Sequence, residues 1–114
     1  MKRVLLALRE NDIAPRFDLC IEVMVVELDA DGTVRKQETL VLAGPSADDL
    51  CRLILGQRTQ AVVCGGIEEE HYQYLLWKKV TVLDGVIGRL DDVLARLCAD
   101  QLQAGDIVRP GKAS

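Results

Sequence analysis

Residues 60–83 read QAVVCGGIEEEHYQYLLWKKVTVL, and their reading decides the fold. The run QAVVC at 60–64 is short, apolar and stopped by two glycines, the pattern of a buried strand. A helix is predicted over 67–78, and VTVL at 80–83 reads as another strand closed by Asp84-Gly85. A strand that returns through a helix to a second strand pairs with a parallel neighbour, because the crossover carries the chain back to the end it started from. The stretch is therefore one crossover of an α/β domain.

Upstream, RVLLAL at 3–8 is continuously apolar and reads as a central strand covered on both faces. Residues 9–17 (RENDIAPRF) read as a polar loop broken by Pro15. Leu19, Ile21, Val23 and Val25 alternate along a second strand, which a turn at Asp31-Gly32 folds back onto residues 34–42 as an antiparallel hairpin. The charges on 34–42 place it at a sheet edge. Ser46 caps a helix whose core stripe is Leu50, Leu53 and Ile54, ended by Gly56. Leu90, Val93, Leu94, Leu97 and Cys98 form the stripe of a last helix, with Leu102 as a possible extension. The order is βββαβαβα, a mixed five-stranded sheet flanked by three helices. Residues 1–104 are expected to form one domain and 105–114 a flexible tail.

The totals exclude several classes. A chain of 114 residues, half of them hydrophobic, suits one core without disulfides. A net charge of −4 with scattered Lys and Arg argues against nucleic acid. The apolar runs are far shorter than the ~20 residues of a membrane helix. The start MKRVLLALREND has too short an apolar stretch for a secretory signal, so a cytoplasmic location is expected. Cys20, Cys51, Cys64 and Cys98 lack the close pairing of a structural zinc site.

The glycine turn raises the chemical question. Gly65-Gly66 at a helix opening is suited to cradle an anion, yet Glu68, Glu69 and Glu70 fill the first turn and repel one. The glutamates read either as self-capping charges or as metal ligands. Glu68 and His71 share a helix face, Glu70 is on a neighbouring face, and Cys64 ends the incoming strand; together they suit an open, exchangeable or dimer-shared metal site. Ligands of open α/β sheets settle at the carboxyl ends of the parallel strands, so residues 9–12 and 64–66 are expected to line one edge. Arg16 can hold an anion by its fork, and Phe17 either shields that mouth or plugs the core. Cys20 is expected on the strand face of Glu22, half-buried and a better ligand than Cys51 or Cys98 on the helix stripes.

Three elements in order resemble the dinitrogenase iron–molybdenum cofactor-binding family, the group of NifX and the NifB C-terminal domain. They are Ala14-Pro15-Arg16-Phe17 after the first strand, Gly65-Gly66-Ile67 with Leu75, and Val80-Thr81-Val82 before the last helix. The resemblance covers about residues 1–104 and implies a ribonuclease-H-like fold. It also implies binding of an iron–sulfur or iron–molybdenum cluster for cluster assembly or trafficking in a nitrogen-fixation setting. The candidate residues for such binding, read from the chemistry above, are Arg16, Phe17, Cys20, Gly65 and Gly66, with Cys64, Glu68 and His71 as metal ligands. The chain departs from the family pattern at several of these positions. Arg16 stands where some members carry histidine, Asp18 and Glu68 replace glycines, His71 replaces a small residue, and Lys79 replaces the glycine before the last strand. An altered site follows.

Two functions compete. One is a non-catalytic cluster-binding protein working with cluster-assembly partners. The other is an apo interaction or regulatory module of the same fold, a possible homodimer. A nuclease is excluded because residues 3–8 carry no carboxylate for a two-metal centre. A thiol hydrolase lacks a third group to orient His71 against Cys64.

Overall fold

The computed structural model describes residues 2–109. Strand β1 (Lys2–Arg9) is the centre of the sheet, and Val4–Leu8 are almost completely buried. It pairs antiparallel with β3 (Glu22–Leu28) on one side and parallel with β5 (Ala61–Val63) on the other. Beyond β3 lies β4 (Val34–Val41), antiparallel, and beyond β5 lies β6 (Thr81–Leu83), parallel. The path is β4-β3-β1-β5-β6, the mixed sheet expected, with one strand more. That addition is β2 (Asp12–Ile13), which folds back against Leu8 and Arg9. β5 pairs β1 at Val4–Leu6, and β2 takes the next positions along β1. A loop had been expected here; the hydrogen-bonding groups that β1 presents past the end of β5 draw the chain back instead.

Residue alternation sorts the core into two layers. Leu5, Ala7, Val23, Val25 and Val62 face α1 (Ala47–Gly56) and α2 (Glu69–Trp77) through Leu50, Ile54 and Leu75. Val4, Leu6, Leu8, Val26 and Val63 face α3 (Leu90–Cys98) through Val93 and Leu97. The sheet is covered by helices on both faces, which is why β1 reads as an unbroken apolar run. Among the described residues no helix is long and apolar enough to cross a membrane.

Three stretches depart from the sequence reading. The expected alternation at Leu19 and Ile21 is absent: residues 17–19 form a 3₁₀ turn, Leu19 and Ile21 are exposed, and β3 starts only at Glu22. The turn follows from Phe17, which is 1% exposed and plugs the α1/α2 layer. Leu102 does not extend α3 but packs on the second layer from outside the helix. The tail expectation differs for 105–109: Ile107 bridges to Ile87, and Val108 is buried against the second layer and donates its amide to the Ile87 carbonyl at 2.7 Å. Residues 110–114 lie outside the described residues.

All three helices end with a left-handed residue that is not glycine: Arg58 at φ 56°, Lys79 at φ 67° and Asp100 at φ 59°. Past α2, Lys79 donates its amide to the Leu76 carbonyl and Val80 to that of Leu75, the paired bonds of a Schellman ending. Glycine adopts this conformation without the clash of a Cβ. Lys79→Gly is therefore expected to raise unfolding stability by about 0.5–1 kcal/mol in urea titration, the relief exceeding the added flexibility of the unfolded chain.

Candidate functional site

The parallel pair β1 and β5 ends at one edge of the sheet, so the chain crossings after Arg9 and Val63 open side by side. β2 steers residues 14–17 along this edge and onto the glycine turn. Gly65 donates its amide to the Ala14 carbonyl at 2.9 Å, Gly66 to Pro15 at 2.7 Å, and Phe17 donates to the Gly66 carbonyl at 2.8 Å. Arg16 and Gly66 thereby form a parallel bridge. A Cβ on Gly65 would stand 2.5 Å from the Ala14 oxygen and 2.7 Å from that of Pro15. The glycines serve this backbone approach. Their amides are committed to carbonyls, so the turn is a joint and not the anion cradle considered from the sequence.

The joint organises two cavities. The first is a groove of about 610 Å³ at the carboxyl end of β1, between residues 8–10 and 14–22. Leu8, Leu19 and Ile21 supply apolar walls, Arg9, Glu10 and Arg16 stand exposed, the half-buried Glu22 adds a second carboxylate, and Cys20 lines the groove. Cys20 is 3% exposed, not half-buried as expected, because it lies in the bend between the 3₁₀ turn and β3. Its thiol donates to the Glu22 carbonyl at 3.1 Å, with the Leu8 carbonyl at 3.7 Å, and burial pushes its pKa up. Arg16 is not free. Its Nε and Nη2 donate to both carboxylate oxygens of Asp18, at 3.1 and 2.8 Å. Two of the positions that depart from the family pattern thus pair with each other.

The second cavity, about 380 Å³, lies between α1 and α2 and is lined by Asp48, Cys51, Arg52, Glu70, His71 and Tyr74. At its mouth, one donor atom each of Glu68, Glu70 and His71 fall within 4.8 Å of one another. His71 Nε2 is 3.5 Å from Glu68 Oε1, and its ring tilts over Phe17 with centroids 6.0 Å apart. Two carboxylates and an imidazole are a hard-to-borderline donor set, suited to a single divalent ion with open coordination positions. Glu68 caps α2 through backbone position alone, without a side-chain hydrogen bond.

Cys64 is not brought to either mouth. It has no exposed surface and sits among the apolar residues of the α1/α2 layer. Burial, then the charges of Asp84 and Cys20, push its thiol up to about 12. The sequence reading placed it at the strand end but could not see that residues 14–17 roof it over. The same reading undervalued Cys51, whose thiol reaches the cavity of His71. Asp48 and Cys51, three apart on α1 and so on one face, were the available signal.

No family model matches this chain, and no curated protein does. Solved structures do. A crystal structure of PH0822 superposes with a TM-score of 0.81 at 20% identity, covering 90% of this chain and 93% of that one. MJ0327 of Methanocaldococcus jannaschii, provisionally described as a dinitrogenase, gives 0.71 at 19% identity, covering 89% and 91%. TM1290 of Thermotoga, provisionally described as a NifB protein of the DUF35 family, gives 0.69 at 12% identity, covering 97% and 100%. At these identities the shared property is the fold.

Two outcomes follow from the geometry. Gly65→Ala is expected to lower unfolding stability by about 2 kcal/mol or more, because both carbonyls in the way belong to backbone that must shift. Urea titration reads this directly, and exposure of the Phe17 region to hydrogen exchange localises it. The buried thiols contribute to the alkaline limit. Cys64 ionises near 9.0 when unfolded and near 12 when folded, and Cys51 is raised to about 11. The folded state holds these protons more tightly, so their contribution is complete below about pH 9 and is lost as pH rises toward 12. Stability is expected to fall by up to about 1.4 kcal/mol per pH unit from Cys64, and Cys64→Ala to flatten that slope.

Proposed function

We propose that this chain is a non-catalytic binding protein for an anionic iron–sulfur or iron–molybdenum type cluster, received in the groove at the carboxyl end of β1. The observation that carries the reading is the groove's chemistry: a thiol within apolar walls, with two arginines, Arg9 and Arg16, beside the carboxylates Glu10 and Glu22. A sulfur-bridged anionic cluster asks for those three things, namely a thiolate ligand, cationic neighbours and exclusion of water. The Arg16–Asp18 pair does not bar the guest. Its arginine side chain is 60% exposed, where solvent screens even a two-pronged pair, so a guest of higher charge can compete with Asp18 for it.

The donor set also says how the cluster is held. A resident cluster of the usual kind takes four cysteine thiolates. Here Cys64 is enclosed, Cys51 opens on the other cavity and Cys98 is on α3, which leaves Cys20 as the groove's thiol. One thiol with open positions suits transient carriage, from one cluster-assembly partner to another. The likeness in fold to MJ0327 and TM1290 supports placing the chain beside proteins described in nitrogen-fixation terms; a ribonuclease-H-like fold and a cytoplasmic location are part of the same proposal. Glu68, Glu70 and His71 are assigned the lesser role of holding a lone divalent ion. The second reading, an apo interaction module, is favoured by the exposed apolar side chains of Leu19, Ile21 and Val41 beside the groove.

The test is anaerobic reconstitution with iron and sulfide, followed by elemental analysis and a visible spectrum. Cluster absorbance is expected in the parent and in Cys64→Ala. It should be lost in Cys20→Ala and reduced in Arg16→Ala. Uptake releases a proton from Cys20 and so should strengthen from pH 7 to 8.5. A colourless parent carrying no iron defeats the cluster reading and leaves the module.

A further inference from the structure

Strand β4 ends the sheet. β3 occupies one of its edges, and among the described residues nothing pairs with the other. All of its residues except Val34 and Leu40 are exposed. A long open edge is a template for another strand, and proteins commonly blunt it with charges. On β4 those charges include Lys36 and Glu38, which stand symmetrically about Gln37 and so complement a second copy of the same strand. On β3, Lys36 stands opposite Glu27, which already has Arg3 at 3.3 Å, and Glu38 stands opposite the apolar Val25.

We infer that the open edge of β4 is a self-complementary interface, and that its occupant is β4 of a second copy of this chain, antiparallel about a two-fold axis at Gln37. Strand geometry restricts the choice of register. Neighbouring residues point their N–H and C=O groups to opposite edges, so a two-fold antiparallel pair must centre on a residue and not between two. Centred on Lys36, the pairing sets that lysine against itself. Centred on Glu38, it sets two carboxylates together. Centred on Gln37, it places Lys36 opposite Glu38 of the partner subunit and Glu38 opposite Lys36 of the partner subunit. The irregularity between β3 and β4 falls at Arg35, where Val34 turns to the α3 layer while Leu40 faces the α1/α2 layer, so the regular pairing runs over residues 36–38. Pairing joins the two sheets into one and satisfies the open backbone groups of both copies. The interface is independent of any cargo in the groove.

Sedimentation velocity on the full chain tests this. The parent is expected to show a concentration-dependent dimer that weakens as salt rises. Lys36→Glu and Glu38→Lys, both at exposed positions, should each raise the dissociation constant about tenfold or more, since each sets like charges face to face twice per dimer. The double variant K36E/E38K should recover the parental dimer. Mixed single variants should form a heterodimer tighter than either forms alone. A parent that is monomeric at every concentration overturns the inference, as does a dimer that ignores both single reversals or is not restored by the double.

Discussion

The close approach of residues 14–17 to the glycine turn is the constraint on which the rest of the site depends. Three backbone hydrogen bonds join the segments, and the carbonyls of Ala14 and Pro15 stand where a Cβ on Gly65 would be. Each bond alone contributes modestly to stability, but together they fix the path by which Phe17 reaches the core. With that path set, Phe17 fills the layer under α1 and α2, Cys64 is roofed over, and the bend that follows seats Cys20 in the wall of the groove. A larger residue at position 65 would separate the two crossings, and the groove would have no shape of its own.

The joint also explains the crowded charge at the start of α2. Because the glycine amides serve the neighbouring loop, the turn has no need of an anion. The positive end of the helix dipole is answered by Glu69 and Glu70 in its first turn, each worth about 0.3–1 kcal/mol. His71 then lies over Phe17 and turns its imidazole toward Glu68. Each side of the edge thus mixes donor types: Cys51 and Arg52 lie with Glu70 and His71 on the α2 side, and Cys20 lies with Arg9, Arg16, Glu10 and Glu22 on the β1 side.

The positions that depart from the resembled family pattern have structural answers. Arg16 and Asp18 form a two-pronged pair, so the arginine and the carboxylate that replace the family's histidine and glycine satisfy each other. Lys79, in place of glycine, holds the left-handed conformation that ends α2.

The sequence by itself determined whatever depends on local periodicity and turn chemistry. The apolar run at 3–8 predicted a strand buried on both faces. Ser46, three residues ahead of Asp49, predicted the start of α1, where the Ser46 hydroxyl accepts the Asp49 amide at 3.1 Å. The Asp31-Gly32 turn predicted the β3–β4 hairpin, and the crossover at 60–83 predicted parallel neighbours and a shared edge for residues 9–12 and 64–66. Tertiary structure alone decided how deeply the thiols are buried, that β2 forms, and that residues 105–109 dock on the second layer. It also decided that Cys51 and His71 line one cavity. The reason is physical: alternation and capping act within a few residues, whereas burial depends on what arrives from elsewhere in the chain. Cys20 and Cys64 have unremarkable neighbours in sequence, and only the backbone laid between them fixes which one a ligand can reach.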